Sequence, residues 1–292
     1  MIKKNALLVF SIMLLALVGS ACSVLGVGSK SFATEQSFQV GSIKAIEINN
    51  ESWDIEFNST DSNQITITTE GKQKDEKTDP VVIKEDGNKM IITQESKKAG
   101  LIDNFTFGKE GTINISIPKH GVEKIAVNNQ FGNMEWNDIA IPAVDISTET
   151  GSTLIKGLTA DIGKVTSDNG ALSIRDSSIR ELKVASITGD NDLTNVTSSS
   201  MKVTSANGSV SIKEAKESQS VVVHTKIGDI AVAYKDAPAS LAVGASSHLA
   251  DITVQLKGFK ESVNAEQSKT GVIGKGLNKL ELVSEAGTID VR

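Results

Sequence analysis

The chain reads as all-β, and its larger part reads as a single-stranded, β-helix-like solenoid with coils of about 19 residues, preceded by a less regular β cap. Three observations predict this. A glycine recurs at Gly132, Gly151, Gly170, Gly189, Gly208 and Gly228, with four intervals of 19 residues and one of 20. Apolar residues alternate on both sides of that glycine, the period of strands with one buried face. Composition agrees: 39 % of residues are hydrophobic, only 4 % are aromatic and only 4 are proline, so the apolar content is mainly aliphatic and suits pleated surfaces.

In chain order, Lys3 and Lys4 precede an apolar run from Ala6 to Val18, followed by Gly19, Ser20, Ala21 and Cys22. This is the order of a secretory signal over residues 1–21. The 13-residue apolar core is shorter than the roughly 20 residues that a spanning helix needs. Cys22 is the only cysteine, so no intramolecular disulfide is available. Ser20, Ala21 and Cys22 resemble the end of a bacterial lipoprotein signal, in which the cysteine becomes the first mature residue and carries lipid. Gly19 departs from the Leu-like residue usual in that pattern. The resemblance implies lipidation of Cys22 and attachment at the outer face of the bacterial cytoplasmic membrane; an ordinary cleaved signal, with part of the protein secreted, and an uncleaved short anchor are the alternatives. Small residues after Cys22 make 22–35 a flexible tether.

Residues 36–121 form the expected cap. KAIEINNESWDIEF (44–57) reads as an aberrant first repeat, with Trp53 close to the place of the glycine. ITITTEG (65–71) and TINISIP (112–118) alternate as strands, and PVVIKEDGNKMIITQE (80–95) reads as a hairpin through Asp86, Gly87 and Asn88. QKDEKTD (73–79) is a charged loop, and 97–111, with Phe105 and Phe107, reads as an exposed loop or lid.

Coils are expected from 122 to 292. Val127, Ile146, Val165, Val184, Val203 and Val223 stand five places before the glycines, and Trp136, Ile155, Ile174, Leu193, Ile212 and Val232 stand four places after. Equal repeat lengths let such columns stack coil on coil, with the glycines as turns. Thr153 and Asn191 interrupt an apolar column and are expected to bulge or to be partly exposed. Gly287 lies in the same local setting, 59 residues after Gly228, a distance equal to three loose coils, and 261–276 reads as a looser coil or an outward loop. Val291 and Arg292 end the chain on a strand, an edge with no obvious cap; a fold-back of 257–278, a second copy of the chain or another protein are the candidates to shield it, and self-association is expected.

The formal charge is −6, and removal of Lys3 and Lys4 leaves 28 basic against 36 acidic residues, a balance of −8. This argues against nucleic acid as a partner and against electrostatic adsorption to an anionic membrane, so membrane attachment falls to the N-terminal lipid. His120, His224 and His248 occupy unrelated repeat positions and suggest no metal, and no cofactor motif is present. Glu149, Asp168, Asp190 and Asp229 lie near the glycine line. They read as solvated aspartates and glutamate rather than as the facing pair of a glycan-cleaving site.

The strand–glycine–strand unit of KVTSANGSVSIKE (202–214) and ELVSEAGTIDV (281–291) resembles the bacterial "putative adhesin" domain family DUF4097, over about residues 40–292. The resemblance implies a solenoid-like fold, an envelope location and no accepted catalytic residues. The expected function is a cell-envelope binding or structural module whose partner is an envelope protein or cell-wall glycan. A regulatory accessory of an envelope-stress system and a carbohydrate-active β-helix enzyme are the alternatives.

Overall fold

The computed structural model describes residues 30–73, 79–95 and 111–292. The signal segment, Cys22, and most of 73–79 and 97–111, with Phe105 and Phe107, lie outside those residues. All named elements are strands. The N-terminal part contains β1 (Lys30–Gln39), β2 (Ala45–Asn50), β3 (Asp54–Thr60), β4 (Gln64–Gln73), β5 (Val81–Asp86), β6 (Lys89–Gln94) and β7 (Gly111–Pro118).

Each glycine repeat then supplies a strand before and a strand after its glycine. These are β8 (Lys124–Phe131) and β9 (Met134–Asn137), β10 (Ala143–Thr150) and β11 (Thr153–Lys156), and β12 (Thr159–Asn169) and β13 (Leu172–Arg175). They continue as β14 (Ser178–Thr188) and β15 (Asn191–Thr194), β16 (Ser200–Asn207) and β17 (Val210–Ala215), and β18 (Ser220–Ile227) and β19 (Ile230–Tyr234). The last part contains β20 (Leu241–Ser247), β21 (Ile252–Val254), β22 (Lys260–Ala265), β23 (Ser268–Val272), β24 (Asn278–Ala286) and β25 (Ile289–Val291).

The strands build two long sheets. The first runs β1-β4-β7-β3-β9-β11-β13-β15-β17-β19-β25-β21, and the second runs β22-β23-β20-β24-β18-β16-β14-β12-β10-β8-β2-β6-β5. Pairing within the coils is parallel and in register. In the second sheet Val127, Ile146, Val165, Val184, Val203, Val223 and Leu282 form one column. In the first, Trp136, Ile155, Ile174, Leu193, Ile212, Val232 and Val291 form another. Both columns are buried and face each other across the core. Phe57 extends the second column, and its ring stacks on Trp136 at a centroid distance of 3.8 Å. Each coil alone exposes its apolar row, so burial comes only from stacking.

Residues 44–57 do form a repeat, in parallel register with β8 and β9. The parallel stack therefore extends past residue 122 to β2 and β3, and further to β6 and β7. The 80–95 hairpin forms as β5 and β6, antiparallel about Gly87 at φ 63°. Of the tether expected over 22–35, residues 22–29 lie outside the described residues, and residues 30–35 belong instead to β1, antiparallel to β4. The reason is local, since Phe32 and Phe38 point inward on alternate positions and pack against the core, with the Phe32 ring 5.7 Å from that of Trp53.

The largest departure is at the far end. The 59 residues from Gly228 to Gly287 are not three coils. β24 pairs with β18 on one side and β20 on the other, and β25 lies between β19 and β21. The last strands of the chain are therefore interior, and Gly287 stacks directly on Gly228. Residues 241–254 form the coil beyond them, and 257–278 contains the antiparallel hairpin β22–β23, which covers the edge of β20. The uncapped terminal strand expected at Val291 does not exist, because β25 finds its apolar register one coil earlier.

Candidate functional surface

The seven glycines expected to mark turns, Gly132, Gly151, Gly170, Gly189, Gly208, Gly228 and Gly287, form one corner. A Cβ on Gly151 would stand 2.0 Å from the carbonyl oxygen of Gly132, and the same relation repeats up the line to Gly287 over Gly228 at 2.1 Å. For Gly170, φ is also 149°. Close stacking as well as turn geometry therefore selects glycine.

The side chains beside this corner are committed to it. Asp190 Oδ1 accepts the Ser209 N–H at 2.8 Å, Asp229 Oδ1 accepts the Thr288 N–H at 2.7 Å, and Asn133 Oδ1 accepts the Ser152 N–H at 3.0 Å. Two of the four acidic residues noted near the glycine line thus tie one coil to the next.

Three places before each glycine lies a buried polar row that alternation alone did not reveal: Asn129, Thr148, Ser167, Ser186, Ser205, Thr225 and Ser284. Several close the corner from inside. Ser205 and Thr225 donate to the carbonyls of Gly208 and Gly228, at 3.1 and 3.0 Å. Thr153 and Asn191, expected to bulge or to be partly exposed, are instead 2 % and 1 % exposed. Asn191 is tied to this polar row, its Nδ2 donating to Ser186 Oγ at 2.8 Å, whereas the Thr153 hydroxyl is buried without a hydrogen-bond partner.

A second corner follows the first sheet. Asp138, Asp176 and Asn195 adopt φ between 49° and 54°, and Gly157 adopts 71°. These are residue types that tolerate the left-handed region. The corner turns the chain into a short third side that closes the coil. Inside it, Ile139, Leu158 and Val196 form one buried row and Ile141, Ala160 and Ile179 another.

The outside of this third side carries a depression of about 400 Å³, lined among others by Pro142, Thr159, Asp161, Ser178, Arg180 and Thr197. Thr159, Ser178 and Thr197 stand one above the other on successive coils and are all exposed. Ser178 bridges to Thr197 by parallel backbone pairing. Arg180 crosses the depression, with Nη1 bonded to Glu181 and Nε 3.4 Å from Asp161. Those two carboxylates, Glu181 first, hold its guanidinium pKa above the usual value. Lys216 Nζ donates to Thr197 Oγ1 at 3.3 Å and closes the row at one end. The result is a shallow trough of hydroxyls running across the coils, with Arg180 and its two carboxylate partners, Glu181 and Asp161, at its centre.

His224 faces outward from β18, while His248 lies at the bend after β20, its carbonyl accepting from Gln267. Among the described residues no group of three metal-ligating side chains converges, and no helix is long and apolar enough to cross a membrane.

A family model described as Toastrack DUF4097 matches residues 43–292. Among solved structures, the chain is similar to that of a "putative adhesin" from Bacteroides fragilis NCTC 9343, at 14 % identity and a TM-score of 0.58, covering 91 % of this chain and 100 % of that one. Another protein so described, from Parabacteroides distasonis ATCC 8503, aligns at 14 % identity and a TM-score of 0.42, covering 91 % and 98 %. No curated protein matches. The Bacteroides likeness is one of fold.

Proposed function

The chain belongs to the Toastrack DUF4097 family, and from that premise we propose that it is a binding module of the bacterial cell envelope, held by lipid on Cys22 at the outer face of the cytoplasmic membrane. Its ligand is an extended, hydroxyl-rich polymer, a cell-wall glycan strand, laid along the third side. The observation that carries this reading is the row of Thr159, Ser178 and Thr197 at one coil spacing beside Arg180. Equivalent groups recurring at about 4.8 Å suit a repeating chain better than a compact small molecule. Each hydroxyl contact is worth only about 1 kcal/mol net, so binding gains strength from several in series.

Purified cell-wall sacculi test the ligand by co-sedimentation. The triple variant Ser178→Val, Arg180→Ala, Thr197→Val is expected to lose more than about tenfold in apparent affinity, two to three polar contacts at about 1 kcal/mol each. Undiminished sedimentation of the triple variant contradicts the assignment. The anchor has its own test: the intact mass of the mature protein should show an N-terminus at Cys22 carrying lipid, and an unmodified Cys22 contradicts lipidation there. The regulatory and glycan-cleaving readings have no observation of their own in their favour.

A further inference from the structure

We infer that the gap between the β18–β19 coil and the β20–β21 coil is a strand-accepting site, which a second copy of this chain fills with its own residues 278–292. In the folded monomer the same gap is filled by the molecule's own β24 and β25. β20 is hydrogen-bonded to β24 and β23, and β21 to β25; neither pairs with β18 or β19. The 241–254 coil therefore joins the main stack through the inserted strands.

The insert fits by register and by side-chain bonds: Thr288 N–H to Asp229 repeats the bond of Ser209 to Asp190, and Ser284 Oγ donates to the Gly228 carbonyl. Leu280, Leu282, Ile289 and Val291 are essentially fully buried and continue the columns of Val221, Val223, Ile230 and Val232. Nothing in these contacts depends on the insert and the gap belonging to one molecule, so an identical segment from another copy makes the same bonds, the condition for swapping at low cost.

The connection permits it. Residues 255–277 lead from β21 back to β24, and every residue of β22 within that segment is exposed. Extended, this lead spans up to roughly 80 Å, far more than the short step it makes in the monomer. In the monomer the segment is held to the stack by β23, which pairs with β20, and at its far end by Asn278, whose amide donates to the Glu217 carboxylate at 2.8 Å; the same carboxylate accepts the Ala239 and Ser240 N–H groups just before β20 at 2.7 and 2.9 Å. Removing the insert from a finished molecule exposes four core side chains. Exchange accordingly takes place while chains fold, not between folded monomers.

The test uses the full chain with Cys22→Ser and two further single substitutions, Val222→Cys and Glu281→Cys. These positions are registered neighbours on the outer face of β18 and β24, within the Cα separation that a disulfide spans. The two single variants are mixed in denaturant, refolded together and mildly oxidised. A disulfide-linked species of doubled mass, containing one chain of each kind and increasing with protein concentration, is expected. The doubly substituted V222C/E281C chain, refolded dilute, is expected to cross-link within itself and so report that the geometry is right. The inference is overturned if the double variant cross-links within one chain while the mixed single variants give no more dimer than a control mixture in which K183C replaces V222C.

Discussion

Gly170 shows how tightly single residues are specified. With φ at 149° and the space of its missing Cβ occupied by the Gly151 carbonyl, Gly170→Ala combines backbone strain with a clash and should cost more than about 2 kcal/mol. Gly244 is the control, since nothing lies within 4 Å of its missing Cβ; Gly244→Ala should change stability by less than about 0.5 kcal/mol. Urea denaturation of both variants checks the contrast, and equal effects contradict it. Asn191 makes the opposite prediction. Its Oδ1 is buried without a partner, and its registered neighbours are Leu172 and Val210, so Asn191→Val should stabilise by about 1 kcal/mol. A loss of stability in the same measurement would mean that the polar row needs the Asn191 amide. The glycine line was legible because one residue type repeats at one spacing. The buried Ser/Thr/Asn row was not, because the same residues furnish exposed turns and only the closed corner turns them inward. The Asp138, Gly157, Asp176, Asn195 corner kept the 19-residue spacing but not the residue type, so spacing alone, without identity, was the available signal.

At the scale of elements, most strands and the stacking order of the regular repeats were legible, whereas β1, the β22–β23 hairpin and the strand order at the two ends were not. Period-two alternation located β2, β4, β5, β6 and β7 in the irregular part as well as the repeats, and Gly87 marked its hairpin. The 59 residues before Gly287 were compatible with three coils because length counts residues and not neighbours; only the parallel registers of β24 reveal the excursion. Glu217 is the side chain on which this arrangement closes. Burial acts to raise its pKa, but the Ala239 N–H, the Asn278 amide and the Ser240 N–H together outweigh burial and hold it below the ordinary glutamate range. A depressed carboxylate stabilises above its unfolded pKa of about 4.3, and that contribution is lost as pH falls through the folded value. Limited proteolysis of 255–277 should therefore accelerate on acidification below that range in the wild type. Glu217→Gln should be cut faster already at neutral pH and show a flatter pH response. A variant with the wild-type profile would remove Glu217 from this role.

The whole molecule is a stack with both of its ends made by strands that leave sequence order. β2 and β3 lie inside β6 and β7 at one end, and β24 and β25 lie inside β20 and β21 at the other. Antiparallel strands cover both sheets at one end, β1 and β4 on the first and β5 on the second; at the other end β22 and β23 cover the second sheet with a charged and polar edge at β22, and the short β21 is the edge of the first. Between the ends, the short third sides of successive repeats line up into a surface left free for a ligand, the feature on which the proposed envelope role depends. The interior position of the C-terminal coil is the claim that binds this architecture together, and native-state hydrogen exchange tests it most directly. The account predicts that the amides of Leu282 and Ile289 exchange as slowly as those of Val203 and Ile212 in the middle of the stack. Exchange at the rate of a fraying chain end would contradict it.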